Sequence, residues 1–138
     1  MKYIIFVKAT KESEAGVMPG EEMISRMATY HEQLAKAGIM VDASGIQATS
    51  KGWRIRYDGD KRTVVEGPFT DTRDLVSGYT IINVKSKEEA LDWTKRYPNP
   101  TPDDRGVEIE VRRLFELKDF EEGEAVDRFR KLAANRGK

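Results

Sequence analysis

Five side chains in this sequence have the types and spacing to do chemistry: His31, Asp42, Arg54, Arg56 and Tyr79. His31 is the only histidine in the chain. An imidazole takes up and returns a proton near neutral pH, which suits general acid–base work. Asp42 stands between Val41 and Ala43, and a carboxylate in an apolar strand is costly unless it is paired. It can orient His31 or bind a substrate hydroxyl. Arg54 and Arg56 project from one strand face and can hold an anionic substrate. Tyr79 and Trp93 can line a pocket. Each residue also has a plainer reading. The histidine can be satisfied at a helix–sheet interface, and the aspartate can accept backbone N–H bonds at a strand end. The arginines can sit in water or pair with nearby carboxylates, and the aromatics can be core. One histidine, scattered carboxylates and no cysteine make no metal-ligand cluster. No cofactor and no metal are expected.

His31 must be placed by a helix expected over 21–37, stopped by Gly38 at the C-cap position. At about 100° per residue from Met23, residues Met27, Tyr30, Leu34 and Ala37 fall within about 40° of it. His31 lies at about 80°, inside the apolar arc, so it faces the sheet or its edge. Asp42 belongs to a strand over 39–49, interrupted near Gly45. Residues 2–8 are nearly continuously apolar and read as a central strand, and 9–20 read as a loop. Trp53 to Tyr57 alternates with period two, and Asp58-Gly59 signals a hairpin turn. The chain is organised around residues 62–84: a return strand, the Gly67-Pro68 break, a polar loop with Asp71 capping a turn, and a strand from Gly78. Ser86 and Glu89 form a capping box for a helix that ends by Pro98, with Ala90, Thr94 and Tyr97 in line. A loop over 98–106 with three prolines leads to an alternating strand over 107–112. In the charged tail, Ala125, Phe129, Leu132 and Ala133 line one face of a short helix.

The chain has 138 residues, which suits one domain. Lys plus Arg and Asp plus Glu each number 24, for a formal net charge of zero. That argues against a nucleic-acid partner or an anionic membrane, since both need a basic excess. The first apolar run, Tyr3 to Val7, is too short for a signal-peptide core or a membrane span. A soluble, cytoplasmic protein is expected.

With the hairpin set aside, the order is strand, helix, strand, strand, helix, strand. This is the split βαβ pattern of a ferredoxin-like α+β fold with an inserted β-hairpin. Both helices then cover one face of a four-stranded sheet. The other face is apolar and bare, so a second copy is the economical cover. A homodimer through the sheet face is expected.

Glu66-Gly67-Pro68-Phe69, the run Tyr30-His31-Glu32-Gln33-Leu34-Ala35-Lys36-Ala37-Gly38, Gly78-Tyr79, Ser86-Lys87-Glu88-Glu89-Ala90 and the closing Val107 to Arg112 together resemble the YCII-related proteins. Within them they resemble the branch named for an Asp-Gly-Pro-Phe (DGPF) signature, with Glu66 in place of its aspartate. The resemblance implies a ferredoxin-like fold of the dimeric α/β-barrel group, with residues 1–117 as the domain and 118–138 as a tail. A His–Asp pair proposed as catalytic in the wider family carries over to His31 and Asp42. Relatives on the same fold include muconolactone isomerases and cofactor-independent monooxygenases, which sets the reaction class by fold analogy. Some members of the branch are associated with extracytoplasmic sigma factors. The alternative to a small-molecule enzyme or ligand-binding protein is therefore a regulatory or protein-interaction module.

Overall fold

The computed structural model describes residues 1–70, 73–101 and 106–136. The turn that Asp71 was expected to cap lies outside the described residues. The elements are β1 (Lys2–Lys8), α1 (Lys11–Glu14), α2 (Glu21–Lys36), β2 (Met40–Gly45), β3 (Trp53–Asp58), β4 (Lys61–Glu66), β5 (Val76–Asn83), α3 (Lys87–Lys95), β6 (Ile109–Arg113) and α4 (Glu124–Asn135). β2, β5, β1 and β6 make a four-stranded sheet in that order, and every pair is antiparallel. β3 and β4 form a separate two-stranded sheet. The fold is α+β and ferredoxin-like, with the hairpin inserted between β2 and β5.

The helices end where the sequence places the signals. Gly38 adopts φ 74° just past the C-cap of α2, a conformation that costs glycine little. Ser86 caps α3 by accepting from Glu89 N. The Glu89 carboxylate reaches back to Lys85 N, one residue further than a capping box requires. α1 departs from the expected loop over 9–20. Thr10 and Ser13 cap each other's backbone, which is enough to set one helical turn.

The sheet has two unlike faces, because successive side chains of a strand alternate. Ile5 of β1, Thr80 and Ile82 of β5, and Leu34 and Tyr30 of α2 are buried under the helices. With Ile39, Val84 and Ala90 of α3, the apolar members form the core. The opposite face carries Ile4 and Phe6 of β1 beside Ile81 and Tyr79 of β5, all half-buried. Asp42 and Ser44 flank this apolar strip on β2, and Glu110 and Arg112 flank it on β6. Neither helix of the split βαβ unit covers it. In α4, Phe129 and Leu132 are exposed, so the apolar face expected there is not packed.

Tyr30 ties the two covering helices together. Its hydroxyl donates to the Trp93 carbonyl at 2.7 Å. Burial, and then the neighbouring Tyr97, push its phenol up to about 12. An unfolded tyrosine ionises near pH 10. The folded state therefore holds a proton the unfolded chain releases, and stability from Tyr30 is whole below about pH 10 and lost as pH rises toward about 12. We expect urea-unfolding stability to fall across that window, and to fall less steeply in Tyr30→Phe.

The Gly67-Pro68-Phe69 signature is wedged against the segment after β2. A Cβ on Gly67 would stand 1.9 Å from the Thr49 carbonyl oxygen. Gly67 N donates to Gly52 O at 3.1 Å, and Phe69 N donates to Thr49 Oγ1 at 2.9 Å. Glu14 of α1 accepts from both Thr49 N and Thr49 Oγ1. The signature thus clamps the hairpin's exit strand to its entry.

Candidate functional site

His31 leaves α2 toward the sheet, as the helical wheel requires. Its Nδ1 lies 2.7 Å from the Met27 carbonyl oxygen, one turn back. A carbonyl only accepts, so this partner assigns the proton to Nδ1. Nε2 lies 2.8 Å from Thr80 Oγ1, and in the neutral ring it accepts from that hydroxyl. Thr80 is 1% exposed. The ring also meets Tyr30 and Tyr97 edge-on, with centroids 5.6 and 6.1 Å away. Burial pushes the Tyr97 phenol up, and the neighbouring Thr80 hydroxyl pulls it partly back.

Asp42 does not orient His31, contrary to the expectation from sequence. Tyr79 and Thr80 are consecutive in β5, so their side chains leave opposite faces. His31 meets Thr80 on the helix side, while Asp42 Oδ2 accepts from the Tyr79 hydroxyl at 2.8 Å on the open side. The sheet itself separates the two groups. The orienting partner of His31 is instead the Met27 carbonyl. Asp42 and Tyr79, singled out separately, are brought together. That hydrogen bond pushes the Tyr79 phenol up, because ionising it would set two negative charges side by side.

The two arginines diverge. The Arg54 guanidinium stacks over the Phe69 ring, 3.8 Å from its centroid, and so helps hold the signature loop. Arg56 is exposed on the same strand. Two of the molecule's concavities are lined by neither His31 nor Asp42. One of about 210 Å³ is lined by Thr94, Tyr97, Pro98, Asn99, Pro100 and Ile109 among others. One of about 720 Å³ lies at the end of β1, where Lys8 pairs with Glu110 at 3.2 Å. No helix among the described residues is long and apolar enough to cross a membrane.

Thr80 and Tyr97 were missed as partners of His31. A signal for Thr80 was available: it alternates with Gly78, Ile82 and Val84 on the strand's apolar face, a polar residue aimed at the helix that carries the only histidine.

The family model for the YCII-related domain matches residues 1–118. An uncharacterised protein of Rhizobium meliloti is 22% identical over 95 residues, which take in 69% of this chain and 77% of that protein. Among solved structures, 5-chloro-2-hydroxyhydroquinone dehydrochlorinase from Burkholderia phenoliruptrix, in complex with 2,5-dihydroxybenzoquinone, superposes with a TM-score of 0.46 at 15% identity. The superposition covers 88% of this chain and 100% of that one.

Proposed function

Since this chain belongs to the YCII-related family, we propose that it is a small-molecule enzyme or ligand-binding protein in which His31 carries a proton, working as a homodimer closed over the open sheet face. The observation that supports this most is the bonding of the imidazole. One nitrogen is anchored on Met27 O and the other is aimed at the Thr80 hydroxyl. A fixed tautomer whose basic nitrogen faces a hydroxyl suits a general base. The reaction class is proton movement of the isomerase kind, or cofactor-independent oxygen chemistry. In a dimer of dimeric α/β-barrel form, the Asp42–Tyr79 pair would be enclosed between the two sheets. There a carboxylate and a phenol can hold a polar substrate group. Arg56 is free of the stacking that occupies Arg54 and is the better candidate to steer an anion.

A thermal-shift screen of small organic acids, phenols and other aromatics tests the role of His31. Compounds are expected to raise the Tm of the wild type and to do so much less, or not at all, in His31→Gln. Equal shifts in both proteins would remove His31 from the site.

A second reading is favoured by the hairpin. Trp53, Ile55, Tyr57 and Val64 share one face of it, each between 46% and 66% exposed. Contiguous apolar surface of this kind marks contact sites for other proteins. A screen in which no compound shifts the wild type would favour this interaction module over the enzyme.

A further inference from the structure

The open side of the main sheet is laid out in two rows that run across the strands. Asp42, Ile81, Ile4 and Arg112 are register partners in one row, and Ser44, Tyr79, Phe6 and Glu110 are partners in the next. Glu110 is already neutralised within its own chain by Lys8. Asp42 is bonded to two neutral groups, the Tyr79 hydroxyl and the Ala43 amide. The first row therefore ends in a carboxylate at the β2 edge and a guanidinium at the β6 edge. β2 and β6 are the outer strands of the sheet, so three strand spacings, about 14 Å, keep the two charges apart within one chain.

A second copy can close over this face about a twofold axis lying across the strands or about one parallel to them. An axis across the strands sets each strand over its own copy. Asp42 then faces the partner's Asp42, and Arg112 faces the partner's Arg112. Like charges brought together at an interface are costly. An axis parallel to the strands sets β2 over the partner's β6 and β5 over the partner's β1. Ile81 then meets the partner's Ile4, Tyr79 meets the partner's Phe6, and Asp42 stands opposite the partner's Arg112. Packed sheets lie about 10 Å apart, a gap that an arginine and an aspartate bridge between them. We propose that the two copies close about an axis parallel to the strands, so that Arg112 of the partner subunit reaches each Asp42–Tyr79 pair and completes it. This rests on the reading of the open face as a homodimer interface. The completed cluster holds a carboxylate, a phenol and a guanidinium. Each dimer contains two such clusters, one at either edge of the enclosed apolar strip, and a single chain contains none.

Charge exchange tests the pairing. Dimer stability is read from urea unfolding at several protein concentrations, since the midpoint of a dimer rises with concentration. The wild type is compared with Asp42→Arg, Arg112→Asp and the double variant Asp42→Arg/Arg112→Asp. Each single change is expected to raise the dimer Kd at least about tenfold, because it creates two like-charge contacts per dimer. The double variant restores both contacts with their signs reversed, and its Kd is expected to return to within about threefold of wild type, the scatter left when coupled changes compensate. An equimolar mixture of the two single variants is expected to form a mixed dimer tighter than either variant alone, which shows that both chains are folded. With an axis across the strands, each single change only replaces one like-charge contact by another. A concentration-dependent wild type whose Kd is unmoved by either single change overturns the proposal, and so does a double variant as weak as the singles. Failure of the underlying reading looks different: the wild-type midpoint is then independent of concentration, and no dimer forms.

Discussion

Gly67→Ala is expected to cost at least about 3 kcal/mol, the upper end of what overpacking usually costs. The added methyl would stand 1.9 Å from the Thr49 carbonyl oxygen and 2.6 Å from its carbon. Both atoms are backbone, so no rotamer change relieves the clash. Thr49 cannot retreat freely either, since Glu14 holds its amide and hydroxyl and Phe69 N bonds to the same hydroxyl. The loss should spread to the hairpin, whose first and last strands are joined by the Gly67–Gly52 backbone bond. Urea unfolding monitored by tryptophan fluorescence measures it, with Trp53 at the hairpin's mouth as the reporter. An alanine variant within about 1 kcal/mol of wild type, the typical cost of a point substitution, would show that the signature's glycine is not there for space.

Leu34→Ala should cost about 2–5 kcal/mol, the range for emptying a buried leucine site. Leu34 is 0% exposed and sits in the core with Ile5 and Ile82. The central strands on one side and α2 on the other leave little room for collapse. The useful comparison is with His31→Gln, three residues earlier on the same helix. Leu34→Ala should lower stability without abolishing ligand response in the fraction that remains folded. His31→Gln should do the reverse, with a small stability loss and a large loss of ligand response. If the two variants behave alike, His31 is a core residue.

These two cases show where the sequence was informative. The order of elements, the separate hairpin and the inward direction of His31 follow from periodicity and caps, which are local properties. Gly67-Pro68 was legible as a backbone device, but its contact was not, because Thr49 lies 18 positions away in sequence and meets it only after folding. The supposed His31–Asp42 pair failed for a similar reason. β2 carries an irregularity between Met40 and Asp42, and a one-residue slip moves a side chain to the other face of a sheet. Nothing in residues 39–49 announces that slip. Thr80 was readable from alternation but was passed over, since a lone threonine in a strand draws no attention until its partner is known. The exposed Phe129 and Leu132 show the limit of the helical wheel. It predicted an apolar face for α4 and could not say what covers it.

The function proposed for this protein requires the open side of the main sheet to be an interface. Ile4, Phe6, Tyr79 and Ile81 make an apolar strip there, bordered by Asp42, Glu110 and Arg112, and a strip of that composition is stable once a like surface covers it. Sedimentation equilibrium of the whole chain reads this directly. The predicted result is a particle of twice the 15.7 kDa chain mass, reduced to a single chain by Phe6→Lys. A wild-type particle of 15.7 kDa would contradict it and would leave the Asp42–Tyr79 pair in open water.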